Sequence, residues 1–419
     1  MPVRFGIDRV VADPSLIAEA LDASRAELAT RGLREPRLTR APRVGLVTNE
    51  AARLADDAER RSRLALRDAG VALVRLFSPE HGLSAQGDDG APMLDGIDAA
   101  TGLPIVSLYG ERFAPPDESL ADLDVVLFDI PDVGARFYTY TWTLSHVLEA
   151  CARTGTPLVV LDRPNPLGGE LASAEGPLLD EATCASFVGR WAIPVRHSLT
   201  LGELANSWQQ TRVRDARVGV VTCEGWRRDM SWPACGLPWV ATSPAMPSFD
   251  SARLYPGLCL FEGTNLSVGR GTSTPFQLVA APWLQPEVVI EALEGELPPG
   301  VRLRSARVVP GQPPHAGTAC NALRVEPVDR DAAAAIRPVA VALQLMAAIA
   351  RTHRDAFAWA TYPTAANPTG GDHFARLAGT RRIAPLIDTP SLTVTRAMLE
   401  EWTATGDWTA RVTSALLYS

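Results

Sequence analysis

The segment Ser78-Pro79-Glu80-His81-Gly82 places a carboxylic acid beside a histidine directly after a short apolar run. Hydrolysis of a glycosidic bond needs one carboxyl group with a raised pKa, which protonates the leaving oxygen. Glu80 is therefore a candidate general acid, and His81 is a candidate substrate contact. The alternative is that Glu80 only braces the loop by accepting hydrogen bonds from backbone N–H groups.

A second polar segment, 129–140, begins with two acids and continues with an arginine and two tyrosines. Asp129 and Asp132 are candidates for the second carboxylate of a hydrolase, either as base or as nucleophile. The guanidinium of Arg136 can bind a carboxylate through paired N–H donors, and Tyr138 can stack on a sugar ring. An ion pair between Asp132 and Arg136 beside aromatic core residues would explain the same pattern without a site.

Three further segments carry guanidinium, amide or imidazole groups at loop positions. Turn chemistry explains their prolines and glycines, and Thr200 with Glu203 matches a helix capping box, so each segment also has a purely structural interpretation. Their candidate substrate-binding residues are Arg163 and Asn165 in 162–169, Arg196 and His197 in 194–203, and Asn265 and Arg270 in 262–272.

The elements that must position these groups are apolar strands alternating with helices. Strand patterns lie at 43–48, 71–77, 105–109, 124–130, 157–162 and 218–222, with helical patterns at about 51–69, 138–154 and 200–212. This alternation predicts a doubly wound parallel sheet of the α/β class. The polar loops 78–104, 131–137 and 163–199 each follow a strand, so they should meet at the carboxyl edge of the sheet, where such folds bind ligands.

The remainder of the chain predicts a leading helix and a second, smaller α/β domain. The leading helical pattern spans 14–32, and 227–275 is rich in Trp, Pro, Gly and Ser without clear periodicity. Strand patterns follow at 276–283, 301–309 and 319–325, and helical patterns at 286–295, 331–352 and 390–404. We therefore predict a helical leader at 1–40, a catalytic domain at 41–240 and an auxiliary domain at 241–419.

Composition and missing motifs exclude several classes of function. The 419 residues carry a net charge of −8 and contain no long basic cluster, which argues against a nucleic-acid partner. No apolar run has the length of a membrane span or a signal peptide, so a cytoplasmic protein with no membrane partner is expected. The turn after the first strand, 48–52, has no glycine, and the phosphate-loop, G-x-S-x-G and H-E-x-x-H patterns are absent. We therefore expect no cofactor and no metal site, and the six scattered cysteines do not indicate a disulfide framework.

Taken in order along the chain, these segments resemble a bacterial family of glycoside hydrolases, the exo-β-N-acetylmuramidases, formerly known only as a domain of unknown function. The resemblance is strong over 43–285 and weaker elsewhere. The motifs that carry it are TN at 48–49, FSPEHG at 77–82, SLYG at 107–110, DVGARFYTY at 132–140, LDRPNP at 161–166, RH at 196–197, GELA at 202–205 and EGTN at 262–265.

The resemblance implies a Rossmann-like N-terminal domain, a smaller C-terminal domain and a cleft between them. It implies a small carbohydrate substrate, with release of N-acetylmuramic acid from the non-reducing end of peptidoglycan fragments, and it favours Glu80 as the catalytic acid. The lactyl carboxylate of that sugar would explain a convergence of Arg136, Arg163, Arg196 and Arg270 on one crevice. Many family members carry an export signal, and the sequence shows no such pattern, so a role in cell-wall recycling inside the cell is the natural expectation here.

Four positions within or near the motifs depart from the family pattern. Pro131, Ser198, Ala245 and Val268 stand where the family usually has Gln, Gly, Asn and an acid, respectively. These changes leave other functions open beside muramidase activity. The alternatives are action on a related amino sugar, a non-catalytic protein that binds muropeptides or sugars, and a hydrolase of a different sugar or phosphosugar linkage.

Overall fold

The computed structural model of the protein describes residues 1–29, 42–329, 335–390 and 392–419. The predicted leading helix is present at Leu16–Ala29, and its predicted end at 30–32 lies outside the described residues. Within the described ranges, no helix combines the length and the apolar character needed to cross a bilayer.

In the described part of the chain, seven strands form the main sheet, and six of them are parallel. They are β1 (Val44–Thr48), β2 (Leu73–Ser78), β3 (Gly96–Ile97), β4 (Pro104–Ser107), β5 (Val125–Asp129), β6 (Leu158–Leu161) and β7 (Val218–Val221). Their order is β3-β4-β2-β1-β5-β6-β7, and only the short β3 is antiparallel to its neighbour. Without β3 this is the strand order of the Rossmann fold, with its topological switch between β1 and β5. The predicted doubly wound sheet is confirmed.

Helices cover both faces of this sheet. They are α1 (Gly6–Ala12), α2 (Leu16–Ala29), α3 (Ser62–Asp68), α4 (Tyr140–Thr154), α5 (Glu181–Cys184), α6 (Leu201–Thr211) and α7 (Trp232–Cys235). Alternate strand residues face opposite sides: Leu46 and Leu127 pack in one apolar cluster with α1 to α3, whereas Val47 and Phe128 pack in another with α4 and α6. Because both faces are buried, the strands read as continuous apolar runs rather than alternating ones.

One helix prediction is only partly correct. The helical pattern at 51–69 forms a helix only at α3, and the residues before it form turns. The Arg53 guanidinium explains the difference, because its Nε donates to the carbonyl oxygen of Glu50 at 2.5 Å and its Nη1 to that of Glu59 at 2.7 Å. These bonds to main-chain oxygens stabilise a compact loop in place of the first turns of a helix. By contrast, α6 has the predicted capping box of Thr200 and Glu203.

The second part of the chain contains a small antiparallel sheet and seven helices among the described residues. The strands β8 (Leu278–Ala281), β9 (Val301–Val308) and β10 (Cys320–Pro327) have the order β8-β10-β9. The helices are α8 (Phe249–Leu258), α9 (Pro286–Ala292), α10 (Pro338–Thr352), α11 (His373–Ala378), α12 (Ile383–Ile387), α13 (Arg396–Trp402) and α14 (Trp408–Val412). Residues 331–334 of the predicted helix at 331–352 lie outside the described ranges. The predicted smaller α/β unit is confirmed, whereas the exact boundaries at 40 and 240 stay a prediction.

Helix α8 lies in the stretch 227–275 that the sequence analysis treated as irregular, and that interpretation is wrong for this segment. Pro256 and Gly257 within the helix hide its pattern. Gly257 has a packing role, because a Cβ atom there would lie only 1.8 Å from the carbonyl oxygen of Pro338 at the start of α10. A glycine is therefore required for the close approach of α8 and α10.

The last residues of the chain return to the main sheet and anchor on Asp162, at the end of β6. The Tyr418 hydroxyl donates to Asp162 Oδ2 at 2.5 Å and accepts from the backbone N–H of Cys223 at 3.0 Å. Asp162 also accepts from the Thr200 hydroxyl at 2.7 Å and from the Gly202 N–H at 2.9 Å. Burial raises the pKa of Asp162 to about 6, despite these donors.

We expect Tyr418→Phe to lower the free energy of unfolding by about 1–3 kcal/mol, because the substitution removes one of two hydroxyl donors to the buried Asp162 Oδ2 and leaves the N–H group of Cys223 without its acceptor. Urea unfolding followed by circular dichroism measures the change. Ser414→Ala is the matched control in the same tail, since its hydroxyl bonds Gln210 at an exposed position. Equal unfolding midpoints for the two variants would contradict the anchoring role.

Candidate active site

A pocket that opens to solvent lies where loops of the main sheet meet the second part of the chain, and it encloses about 650 Å³ when the space at its mouth is counted. The loop after β2 supplies Glu80, His81 and Asp89, the loop after β5 supplies Tyr138 and Thr139, the segment after α8 supplies Glu262 and Arg270, and the segment before α11 supplies Tyr362. Both parts of the chain are therefore needed to form the pocket.

Glu80 is a buried carboxyl group held at two points. Its Oε1 accepts from the backbone N–H of Gly90 at 2.9 Å, and its Oε2 accepts from the Thr139 hydroxyl at 2.6 Å. Burial and the nearby Asp89 raise the pKa of Glu80, and this outweighs the lowering effects of His81 and the two donors. A carboxyl group in this environment keeps its proton to a higher pH than an exposed one, as a general acid must.

Asp89 is the second carboxylate of the pocket, and its environment has the opposite effect. Burial alone would raise its pKa, but the Arg270 guanidinium, His81 and the Tyr362 hydroxyl together lower it. Arg270 Nη2 lies 3.3 Å from Asp89 Oδ1, and the Tyr362 hydroxyl donates to Oδ2 at 2.8 Å. Two neighbouring carboxyl groups whose pKa values are displaced in opposite directions are typical of an acid paired with an ionised partner.

A third acid, Glu262, shares Arg270 with Asp89. Arg270 Nε lies 2.5 Å from Glu262 Oε1, while Oε2 accepts only from the Cys259 thiol at 3.3 Å. Burial raises the pKa of Glu262, and Asp89 adds to this effect against the lowering by Arg270. The pocket therefore contains three acids and one guanidinium group.

The same region has the geometry of a possible cation site. Glu80, His81 and Asp89 each offer one ligand atom, and these atoms lie within 4.8 Å of one another. His81 Nδ1 lies 2.7 Å from the carbonyl oxygen of Gly87, which fixes the ring and leaves Nε2 free to face the acids.

Aromatic side chains form much of the pocket wall. The Tyr138 hydroxyl donates to the Thr242 hydroxyl at 2.5 Å, and the Tyr140 hydroxyl donates to the Thr242 carbonyl at 3.0 Å. The two tyrosine rings pack edge to face, with centroids 4.9 Å apart. Tyr109, Phe137, Phe187, Tyr255 and Phe276 complete this wall. Flat, partly polar rings of this kind are suited to contact with a sugar face.

Of the twelve candidate residues from the sequence, four line this pocket. They are Glu80, His81, Tyr138 and Arg270. Their roles stay predictions. Glu80, His81 and Tyr138 come together because their loops lie at the carboxyl edge of the sheet, whereas Arg270 reaches them from the segment after α8. The other eight residues lie elsewhere.

Asp129 and Arg163 form a buried ion pair below the edge of the sheet. Arg163 Nε donates to Asp129 Oδ1 at 2.7 Å, and the Arg163 guanidinium lies 4.8 Å from the centre of the Phe5 ring. Asp132 lies beside them in a separate hollow, where its Oδ2 accepts from the Gly134 N–H at 2.8 Å. Neither Asp129 nor Asp132 lines the pocket that contains Glu80.

His197 is fully buried between main-chain and carboxylate groups. Its Nδ1 accepts from the backbone N–H of Leu199 at 3.2 Å, which places the proton of a neutral ring on Nε2. Nε2 lies 3.5 Å from Asp132 Oδ2. These contacts orient the histidine towards the interior of the first domain.

The remaining candidates bind main-chain groups. Arg196 Nη2 donates to the Leu167 carbonyl at 2.6 Å, Asn165 Nδ2 to the Leu199 carbonyl at 2.9 Å, and Asn265 Nδ2 to the Ala356 carbonyl at 2.7 Å. Burial lowers the pKa of Arg196 to about 10, so it stays charged at neutral pH.

Arg136 is a fully buried link between the two parts of the chain. Its Nη1 donates to the carbonyl oxygens of Pro177 and Ile193, each at 2.8 Å, and its Nη2 donates to that of Leu377 at 2.7 Å. Burial lowers the pKa of Arg136 to about 9. The four arginines named in the sequence analysis therefore do not converge on one crevice, because only Arg270 lines the pocket.

Several polar residues of the pocket were not among the candidates from the sequence, and they include Asp89, Tyr109, Glu262, Tyr362 and His373. Asp89 lies in the loop 78–104, which the strand pattern had already placed at the carboxyl edge, so its position was a usable signal. Glu262 opens a segment already singled out for its glycines. Tyr362 and His373 come from the far end of the chain, and no local pattern marks them.

Both halves of the chain match sequence models of one family. Residues 44–250 match the model described as exo-beta-N-acetylmuramidase NamZ, N-terminal, and residues 253–418 match the corresponding C-terminal model. The chain is 40% identical over 295 residues to the peptidoglycan beta-N-acetylmuramidase NamZ of Bacillus subtilis (strain 168), with 70% of each protein covered.

Two crystal structures of proteins from Bacteroides fragilis NCTC 9343, both of the DUF1343 family, have a similar fold. One superposes with a TM-score of 0.79 at 27% identity, and the alignment covers 100% of both chains. The other gives a TM-score of 0.70 at 24% identity, covering 100% of this chain and 99% of the other, and supports the fold alone.

We expect Arg136→Gln to lower the free energy of unfolding by about 3–5 kcal/mol, because three buried carbonyl oxygens lose charged donors. Thermal and urea unfolding of the full chain measure the loss. Arg153→Gln, which removes an exposed ion pair with Asp117, is the matched control and should cost less than about 1 kcal/mol. A normal unfolding midpoint with a raised KM would instead indicate that Arg136 binds substrate.

Proposed function

The chain belongs to the exo-β-N-acetylmuramidase NamZ family, and we propose that it is an exo-acting glycoside hydrolase that releases N-acetylmuramic acid from the non-reducing end of peptidoglycan fragments. The observation that carries the chemistry is the pair of neighbouring carboxyl groups, Glu80 and Asp89, whose pKa values are displaced in opposite directions. Both parts of the protein enclose the pocket. Such a pocket suits the terminal sugar of a glycan better than an internal sugar.

In this proposal Glu80 is the general acid. Its raised pKa keeps a proton available, and that proton passes to the glycosidic oxygen as the bond to the anomeric carbon breaks. The Thr139 hydroxyl and the Gly90 N–H hold the carboxyl group in one orientation. Positive charge develops on the sugar ring in the same step, and a neighbouring negative charge stabilises it.

We assign the second carboxylate to Asp89 rather than to Asp129 or Asp132. Asp129 is fully buried against Arg163, and Asp132 faces a different hollow. Oxygens of Glu80 and Asp89 lie within 4.8 Å of each other. Retaining enzymes place their two carboxyl groups ~5–5.5 Å apart, and we infer retention of configuration from the closeness of these two oxygens.

Retention means that the anomeric carbon is attacked twice. The carboxylate of Asp89, or the substrate's own acetamido oxygen supported by Asp89, forms the first bond to that carbon while the aglycone leaves with the proton from Glu80. A water molecule then gives one proton to the Glu80 carboxylate and its hydroxyl group to the anomeric carbon, while the bond formed in the first step breaks and releases Asp89 or the acetamido oxygen. Both routes require Asp89 to be ionised when Glu80 is protonated, which matches the directions of their pKa shifts.

The setting of this activity is the cytoplasm in our proposal, as a step in the recycling of cell-wall fragments. All six cysteines are free thiols in buried positions. Free thiols are typical of proteins that work in a reducing compartment. Cell fractionation followed by detection of the native protein tests this location.

We expect Glu80→Gln to lower kcat by at least about a hundredfold, because the amide keeps the hydrogen-bond geometry but has no proton to donate. The measurement is release of N-acetylmuramic acid from its β-1,4 disaccharide with N-acetylglucosamine. Glu400→Gln, the same chemical change on the exposed side of α13, is the control and should leave turnover unchanged. Near-normal turnover by Glu80→Gln would refute its role, and tight sugar binding by the unaltered protein without any product would favour a binding protein.

We also expect the first product to be the β-anomer of N-acetylmuramic acid, because the carboxyl separation favours retention. Proton NMR recorded during the first minutes of turnover distinguishes the anomers before mutarotation mixes them. Initial formation of the α-anomer would show inversion and would remove Asp89 from the proposed role.

A further inference from the structure

We propose that the pocket takes up one proton when it binds the lactyl carboxylate of an N-acetylmuramic acid unit, and that Glu262 is the group that receives it. The inference rests on the proposed function, because it concerns how the same pocket accepts an anionic sugar. It follows from the number and the pairing of the charges that line the pocket.

The pocket has a single strong cation for several acids. Among the described residues that line it, Arg270 is the one arginine or lysine, and it pairs with Asp89 and Glu262. Burial lowers the pKa of His373 to about 4, so that ring is neutral at neutral pH. His81 lies beside Glu80 and Asp89, so Arg270 is the cation that an incoming carboxylate meets next to Glu262.

Arg270 already has two carboxylate partners. Its Nε is bonded to Glu262 Oε1 at 2.5 Å, and its Nη2 lies 3.3 Å from Asp89 Oδ1. One face of the guanidinium is covered by the Phe276 ring, whose centre is 5.0 Å away. A third carboxylate can pair with this group only by displacing one of the first two.

Glu262 is the easier of the two to displace. Asp89 keeps a second good donor, the Tyr362 hydroxyl at 2.8 Å, and lies next to His81. Apart from Arg270, Glu262 is bonded only to the Cys259 thiol at 3.3 Å, and a thiol is a weak donor. With 8% of its surface exposed, Glu262 cannot exchange the lost ion pair for water.

No other charge near Glu262 can compensate for the loss of Arg270. The groups that face it are Cys259 of its own short 3-10 helix, Tyr255 of α8, Tyr362 of the segment before α11, and Asp89. Burial raises the pKa of Cys259, Tyr255 and Tyr362, so all three are neutral. Asp89 is negative and disfavours a second charge.

Protonation of Glu262 is therefore the way to keep the total charge of the pocket constant. The Glu262 carboxylate gains one proton from solvent as the substrate carboxylate replaces it beside Arg270. Burial already raises the pKa of Glu262 in the free protein, so the proton is added at a low free-energy cost. Because binding adds a proton, affinity falls as pH rises above the pKa of Glu262 in the free protein, by up to about tenfold per pH unit.

Isothermal titration calorimetry of the full-length protein with N-acetylmuramic acid tests this inference. Titrations at one pH in phosphate and in Tris, whose ionisation enthalpies differ, give the number of protons taken up. We expect close to one proton for N-acetylmuramic acid and none for N-acetylglucosamine, which lacks the lactyl group. Equal heats in the two buffers, or the same uptake with both sugars, would overturn the inference.

The variant Glu262→Gln tests whether Glu262 is the group that receives the proton. It keeps an oxygen acceptor for Arg270 but cannot titrate, so we expect no proton uptake and an affinity that no longer weakens with pH. Glu400→Gln is the matched control and should behave like the unaltered protein. Proton uptake that persists in Glu262→Gln would show that another group is responsible.

An infrared difference spectrum of the unaltered protein gives an independent result if the variant does not fold. Binding of N-acetylmuramic acid should produce the carbonyl band of one protonated carboxylic acid, and its absence would overturn the inference. Hydrolysis of the disaccharide without proton uptake would refute this inference alone. Proton uptake without hydrolysis would refute the proposed function alone, and failure of N-acetylmuramic acid to bind would refute both.

Discussion

The Arg270 guanidinium acts directly on two acids of the pocket, Asp89 and Glu262, and through Asp89 on the third, Glu80. It holds Asp89 ionised against the effect of burial, and Asp89 in turn helps to raise the pKa of Glu80. If this one positive charge were removed, Asp89, Glu80 and Glu262 would repel one another as carboxylates, and the pKa of each would rise. The difference in pKa between the proton donor Glu80 and the ionised Asp89 therefore depends on Arg270, which contacts Asp89 and Glu262 directly.

The fold brings these groups together from distant parts of the chain. The loop after β2 is fixed on both sides at Gly90, whose N–H donates to Glu80 and whose carbonyl oxygen accepts from Ala365 at 2.8 Å. Tyr362 reaches Asp89 from the same segment of the second part. Since Arg136 links the two parts through three further carbonyl oxygens, the pocket geometry depends on their fixed relative position.

The sequence predicts the sheet better than the site, for a physical reason. Burial on both faces makes each strand a continuous apolar run, so the strands, and hence the edge where Glu80 lies, could be read directly. By contrast, the sequence of a loop does not indicate whether a polar side chain points into a pocket or towards the main chain of the loop itself. Arg196, Asn165 and Asn265 looked like ligand contacts, but buried loops also need donors for their carbonyl oxygens, and these side chains meet that need. Tyr362 requires knowledge of the tertiary fold.

The four positions that the sequence analysis expects to depart from the family pattern lie in different environments. Ser198 has a positive φ of 58°, the left-handed region that glycine adopts without strain, so the change from glycine bears on the backbone. Val268 is buried in the core, and Pro131 lines the hollow beside Asp132. Only Ala245 lines the pocket that contains Glu80. The resemblance implies an asparagine at this position, whose amide the alanine does not provide, whereas Glu80, Asp89 and Arg270 all line the same pocket. If the substrate differs from that of other family members, we therefore expect the difference in the part of the sugar that contacts Ala245, and not in the chemistry of bond cleavage.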